Sequence, residues 1–183
     1  HLLRYPVIIS IVFFVNFVVS FAADEYKTRV WRVLDEGKFM ATDGDTISFF
    51  PLSVPSRDTR FLSVYAVAKE AFSYLQDTLG GKEVILKFEI GRQRLYQGAI
   101  PAMVYLSDGT CVNEELIKKG YGAIEKEFIV RSRNRNHFIA LEQEARKNKI
   151  GIWATAARYE MRDQPQRMYE RTSPGNPKKK LIQ

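Results

Sequence analysis

Cysteine is almost absent. Cys111 stands alone in 183 residues, which excludes an intrachain disulfide framework. The two histidines cannot make up a zinc cluster that cysteine does not supply. No Asn-x-Ser/Thr sequon occurs anywhere. Charge is missing from residues 6–23, and a charge excess is missing from the middle of the chain. The total is +7, but residues 24–157 hold 20 basic against 18 acidic side chains. Residues 158–183 hold 7 basic and 3 acidic ones, so more than half of the excess lies there. A domain built to hold a polyanion would carry that excess itself, so nucleic acid is not the expected partner. What is present, 45% hydrophobic and 27% charged residues, is ordinary for a globular protein and excludes wholesale disorder.

The charge-free run from Pro6 to Ala23 has 18 residues. As a helix it spans about 27 Å, enough to approach the width of a bilayer core. It is apolar on every face, unlike a buried helix of a small globular domain. Arg4 before it and Ser20-Phe21-Ala22-Ala23 at its end also fit a secretory signal peptide. A retained single-pass anchor is the favoured reading. Asn16 near its middle then calls for a neighbouring protein helix, because an unpaired amide in hydrocarbon is costly. A sequence that starts at His1 leaves room for a targeting segment upstream.

After the run come short β-prone segments at 28–34, 39–42, 47–50, 59–65, 83–90 and 100–106. Asp43-Gly44-Asp45 and Ser107-Asp108-Gly109 are turn signals between them. Helical spacing marks 66–79, with Ala68, Phe72, Leu75 and Leu79 on one face and Gly80-Gly81 as the stop. Asn113 is placed to cap a helix over 113–119, and a third helix covers 136–149 with Phe138, Leu141 and Ala145 inward. This pattern predicts an α+β domain: five strands in a small antiparallel barrel with three helices packed on it.

Three segments then resemble one family. Asp43-Gly44-Asp45-Thr46-Ile47 resembles the D-G-D-T turn of staphylococcal-nuclease-like domains. Val112-Asn113-Glu114-Glu115-Leu116 through Gly122 resembles their V-N-E-x-L helix, and Glu144-Ala145 through Gly151-Ile152-Trp153 resembles their closing segment. The resemblance covers about residues 28–153 and implies a five-stranded OB-type barrel with three helices. It also implies phosphodiester hydrolysis, with carboxylates for a Ca²⁺ ion, a glutamate to activate water and two arginines on the phosphate.

Residue by residue, the resemblance puts the first metal aspartate on Asp45 and the first arginine on Arg60. It puts the second aspartate on Tyr65, the glutamate on Ala68, and no arginine in Leu95-Tyr96-Gln97-Gly98-Ala99-Ile100. Asp45 and Arg60 thus read as remnants, and Tyr65 and Ala68 as losses. Glu70 reads as an acid at a helix start, Asp43 and Asp45 as turn formers, Arg60 as half of a structural ion pair, and Cys111 as a small core residue. His137 has no nucleophile to serve.

The expectation is therefore a catalytically inactive domain, not an enzyme, with no metal and no cofactor. Its parts would be an anchor at 1–23, the nuclease-like domain at 24–153 and a basic extended tail at 154–183. It would serve as a structural accessory subunit of a membrane complex, its partners being the other subunits held through 1–23 and 158–183, and the lipid bilayer. A mitochondrial inner-membrane assembly of respiratory-chain or ATP synthase type fits the single cysteine and the missing sequons. The alternative is a membrane-tethered Ca²⁺-dependent nuclease or nucleic-acid binder. Arg131-Ser132-Arg133-Asn134-Arg135 is a second basic cluster, which reads equally as a solvated loop or as a surface for phosphates or anionic lipid headgroups.

Overall fold

The computed structural model describes residues 25–35, 37–95 and 98–154. The expected anchor at 1–23 and nearly all of the expected tail lie outside the described residues. Among the described residues, no helix is long and apolar enough to cross a membrane.

The chain begins with β1 (Glu25–Val33), then β2 (Lys38–Ala41), β3 (Thr46–Phe49) and the two-residue β4 (Leu52–Ser53). Next come α1 (Leu62–Leu79), β5 (Glu83–Lys87) and β6 (Ile100–Tyr105). The rest is α2 (Val112–Lys118), β7 (Ala123–Ile124), α3 (Lys126–Ile129), α4 (Arg135–Lys147) and a 3-10 turn at Gly151–Trp153. β1-β2-β3-β6-β5 close into a five-stranded barrel, and β4 pairs with β7 in a separate small sheet. The α+β barrel with helices packed on it is as the sequence predicts.

Alternation builds the barrel wall. Phe39 and Ala41 on β2, Ile47 and Phe49 on β3, and Val84 and Leu86 on β5 point inward, while their neighbours are less buried. On β1 the buried pair is Val30 and Val33, three residues apart. A register shift between Val30 and Arg32 accounts for the odd spacing, since an extra residue returns the next side chain to the inner face. Each large core side chain of this kind contributes about 1.5–3 kcal/mol of burial energy.

Three expectations need correction. The barrel is not wholly antiparallel: β3 and β6 run parallel, with Ile47 opposite Ile100, because α1 and β5 intervene and carry the chain across. The expected strand over 59–65 does not form. Residues from Leu62 onward are already helix, and Val64, Val67, Ala68 and Ala71 form its buried face. Packing of that face overrides the β-branched character of Val64 and Val67. Asn113 does not cap α2, which begins one residue earlier at Val112 with Cys111 in the cap position.

Asn113 instead lies wholly buried and ties the helix to the barrel. Its side-chain amide nitrogen donates to the Phe50 carbonyl at 2.6 Å and the Ala102 carbonyl at 3.1 Å. Its side-chain oxygen accepts from the Val104 amide at 2.8 Å. A second tie closes the domain at its other end. The Ile152 amide donates to the Gly120 carbonyl at 2.9 Å. Gly120 and Gly151 have φ of 63° and 53°, and a Cβ on either would run into backbone of the other's segment.

Candidate functional site

The turn between β2 and β3 and the loop between β5 and β6 meet at one rim of the barrel. Residues 43–45 form the turn. Asp43 shapes it, its Oδ1 accepting from the Asp45 amide at 3.0 Å, and Gly44 takes φ 89°. Asp43 is thus a turn former, as expected. Its Oδ2 also accepts from the Tyr26 hydroxyl of β1 at 2.6 Å. Partial burial pushes its pKa up. The Tyr26 hydroxyl, the Asp45 amide and Arg92 outweigh that and leave it below the usual carboxylate value.

Asp45 is more than a turn former. Arg92 Nη2 donates to its Oδ2 at 2.6 Å, and Arg94 Nη2 to its Oδ1 at 2.5 Å. Its side chain is only 15% exposed between them, whereas Arg92 and Arg94 are 42% and 56% exposed. Arg94 also donates through Nη1 to the Gly98 carbonyl at 3.2 Å. Arg92 lies across the Tyr26 ring, its Cζ 4.1 Å from the ring centre, with Phe88 at 5.8 Å and Asp43 Oδ2 at 3.7 Å. The hydrogen bond to Asp45, then that to Tyr26, holds the Arg92 pKa above its ordinary value.

The other residues singled out in the sequence do not join this cluster. Arg60 is exposed just before α1, its guanidinium 5.1 Å from the Phe61 ring centre. Among the described residues no carboxylate pairs with it, which corrects the expected ion pair. That role falls to Arg57, bonded to Asp35 at 3.1 Å and stacked on Phe72 at 3.6 Å. Tyr65 is 41% exposed on the outer face of α1. Ala68 is 2% exposed on the inner face, and Glu70 is exposed. Cys111 is a buried core residue, as expected. His137 Nε2 lies 3.2 Å from Glu114.

Arg92 and Arg94 were not singled out in the sequence. Their signal is Gly91-Arg92-Gln93-Arg94, two arginines at alternate positions after a strand. The resemblance directs attention instead to the position immediately before the next strand.

The donor set does not fit Ca²⁺. Both oxygens of Asp45 accept from arginines, and among the described residues no three His, Cys, Asp or Glu side chains converge on a metal position. What the cluster offers is paired guanidinium groups held by one carboxylate and backed by aromatic rings, an arrangement that suits phosphate oxygens.

Comparison with known proteins corrects the expectation of a non-enzyme. Endonuclease YncB of Bacillus subtilis is 26% identical over 110 residues, covering 60% of this chain and 52% of the relative. The SPbeta prophage-derived endonuclease YokF of the same species is 26% identical over 110 residues, 60% of this chain and 37% of the relative. An uncharacterized protein of Bacillus anthracis is 28% identical over 109 residues, 60% and 50% respectively. The chain thus spans about half the length, or less, of these relatives. Two of the three are named endonucleases, and the family they point to is a nuclease family, so inactivity does not follow from the changes at Tyr65 and Ala68. The model of the staphylococcal nuclease homologue family matches residues 47–155, and the chain belongs to that family.

Proposed function

We propose that the chain is a nucleic-acid phosphodiesterase whose phosphate site is the Asp45–Arg92–Arg94 cluster. The observation that carries this reading is the pair of half-exposed arginines converging on one carboxylate, in a domain of a nuclease family. The balanced charge of residues 24–157 argued against a polyanion, but local clustering matters more than the sum.

A phosphodiester entering the cluster takes up the N–H donors that Asp45 holds in its absence. The two guanidinium groups then neutralise charge that grows on the phosphate oxygens as a fifth ligand approaches phosphorus. Asp45, displaced from the arginines yet still beside them, is the carboxylate placed to take a proton from the attacking water. As the water oxygen bonds to phosphorus, the P–O bond to the opposite ester oxygen breaks and that oxygen leaves as an alcohol, taking a proton from solvent. Tyr26 and Phe88 hold the Arg92 plane in place. The charge-free run at 6–23 would tether this activity to a membrane.

The test is cleavage of labelled single-stranded DNA and RNA by the full chain in mild detergent, with divalent cations and with chelator. Fragments are expected. Asp45→Asn should cut the rate by about 100-fold or more, in the range of a general base. Arg92→Gln with Arg94→Gln should do the same through lost charge stabilisation. Intact substrate at excess protein sinks the reading, as does cleavage indifferent to all three substitutions.

A further inference from the structure

The turn between α3 and α4 carries Arg131 and Arg133, and Arg135 opens α4; all three are exposed, within five residues. Several other cations of the domain are matched: Arg29 with Glu83, Lys87 with Glu25, Lys118 with Glu114 and Glu115, Arg146 with Glu142. Among the described residues no carboxylate pairs with the side chain of Arg131, Arg133 or Arg135.

This turn is tied to the phosphate site. The backbone amide of Arg133 donates to Glu89 Oε2 at 3.0 Å. Glu89 follows Phe88, whose ring backs Arg92, and leads into the loop that carries Arg92 and Arg94. One carboxylate thus docks the basic turn beside the basic loop and is itself occupied by a backbone amide. The two arginine groups sit on neighbouring segments, and the half-buried rings of Phe88 and Tyr26 lie beside Arg92.

From this arrangement we infer that Arg131, Arg133 and Arg135 extend the phosphate site into a track for single-stranded nucleic acid. The inference rests on the proposed function, since the strand is the one whose phosphate reaches Asp45. Guanidinium groups spaced along a track contact successive phosphates, and nearby apolar side chains receive unstacked bases. A duplex keeps its bases stacked and offers nothing to the half-buried rings of Phe88 and Tyr26, so a single strand fits better.

The experiment measures binding of the full chain in detergent to labelled oligothymidylate, about 30 or about 4 nucleotides long, across a salt series. With Arg131, Arg133 and Arg135 all changed to Gln, affinity for the long strand should fall about tenfold or more. The slope of log affinity against log salt should become shallower by about 2, three lost phosphate contacts at about 0.7 each. The short strand should bind as before, and the triple Lys variant should restore most of the slope. An unchanged slope in the Gln variant, with binding still lost in Arg92→Gln/Arg94→Gln, overturns the track and leaves the phosphate site standing. No dependence on either set overturns the functional reading as well. Equal affinity for a duplex of the same length overturns the choice of a single strand. If the Gln variant loses affinity for a soluble short-chain anionic phospholipid but not for the long strand, the turn serves a membrane surface.

Discussion

Asp45 and its two arginines are 47 and 49 residues apart in the chain. Their meeting is a product of barrel closure, and it changes what each side chain does. Asp45 was legible as a site position because its turn motif is local. The partners were not legible, since nothing near Asp45 in sequence points to a loop after β5. The resemblance reads Ala68 as a lost carboxylate; the helix shows it facing the core. Glu125 is a residue of a different kind. Burial, and then the neighbouring charge of Glu127, push its carboxyl above the usual range. The folded state therefore binds this proton more tightly than the unfolded chain does. Between the unfolded value and the raised folded one, N holds more protons than U, so stability falls as pH rises through that window. Above it the buried charge is a standing cost. Glu125→Gln should raise the melting temperature at pH 7.5 and leave it nearly unchanged near pH 4. Equal shifts at both pH values would assign the effect to packing and not to charge.

At the scale of elements, one buried amide joins α2 to the barrel. Asn113 satisfies the Val104 amide and the Phe50 carbonyl from inside a region with no access to water. Asn113→Ala removes these bonds and the one to the Ala102 carbonyl, and leaves a cavity where the amide was, so unfolding in urea should show a loss of about 2–4 kcal/mol. A loss below about 0.5 kcal/mol would mean that backbone or water replaces the amide. The sequence marked this residue as important, through its motif, but gave it the wrong role: a helix-capping signal and a buried staple are the same letter. The stretch over 59–65 misled in a similar way. Phe61, Val64 and Tyr65 suit a strand locally, yet Val64 is followed by Val67, Ala68 and Ala71 at helical spacing, and the core selects that period. The Gly120 and Gly151 pair was visible as two motif glycines. Their mutual approach was not, because it joins segments thirty-one positions apart in number and depends on both backbones being bare. Gly151→Ala should therefore be far worse than an ordinary glycine change. Its positive φ and the facing Gly120 backbone act together, so accumulation of folded protein on expression should drop sharply. Normal yield and melting would show that the 3-10 turn can move aside.

For the molecule as a whole, the core is drawn from residues spread across the described chain, from Val30 on β1 to Phe138 on α4, with Ile152 also buried in the closing turn. β1 starts at Glu25, opposite Lys87 of β5, and that pairing closes the barrel. Every strand of the barrel, and the backbone tie between Gly120 and Ile152, therefore falls inside residues 25–154. The physical requirement for independent folding is a closed hydrogen-bonded wall around a continuous core, and both are present within the described residues. A fragment of residues 25–154 should fold alone. Its far-ultraviolet circular dichroism should show mixed helix and strand, and urea should unfold it in one cooperative step with a slope of about 1–3 kcal/mol/M. The same fragment then separates two contributions to function. If it cleaves or binds nucleic acid as well as the full chain does, the barrel rim suffices and the flanks serve placement. If it folds but binds several-fold more weakly, the basic residues of 158–183 contribute to the polyanion surface. A fragment that fails to unfold cooperatively would show that the core needs residues outside 25–154, and the division of the chain at Glu25 and Ala154 would be wrong.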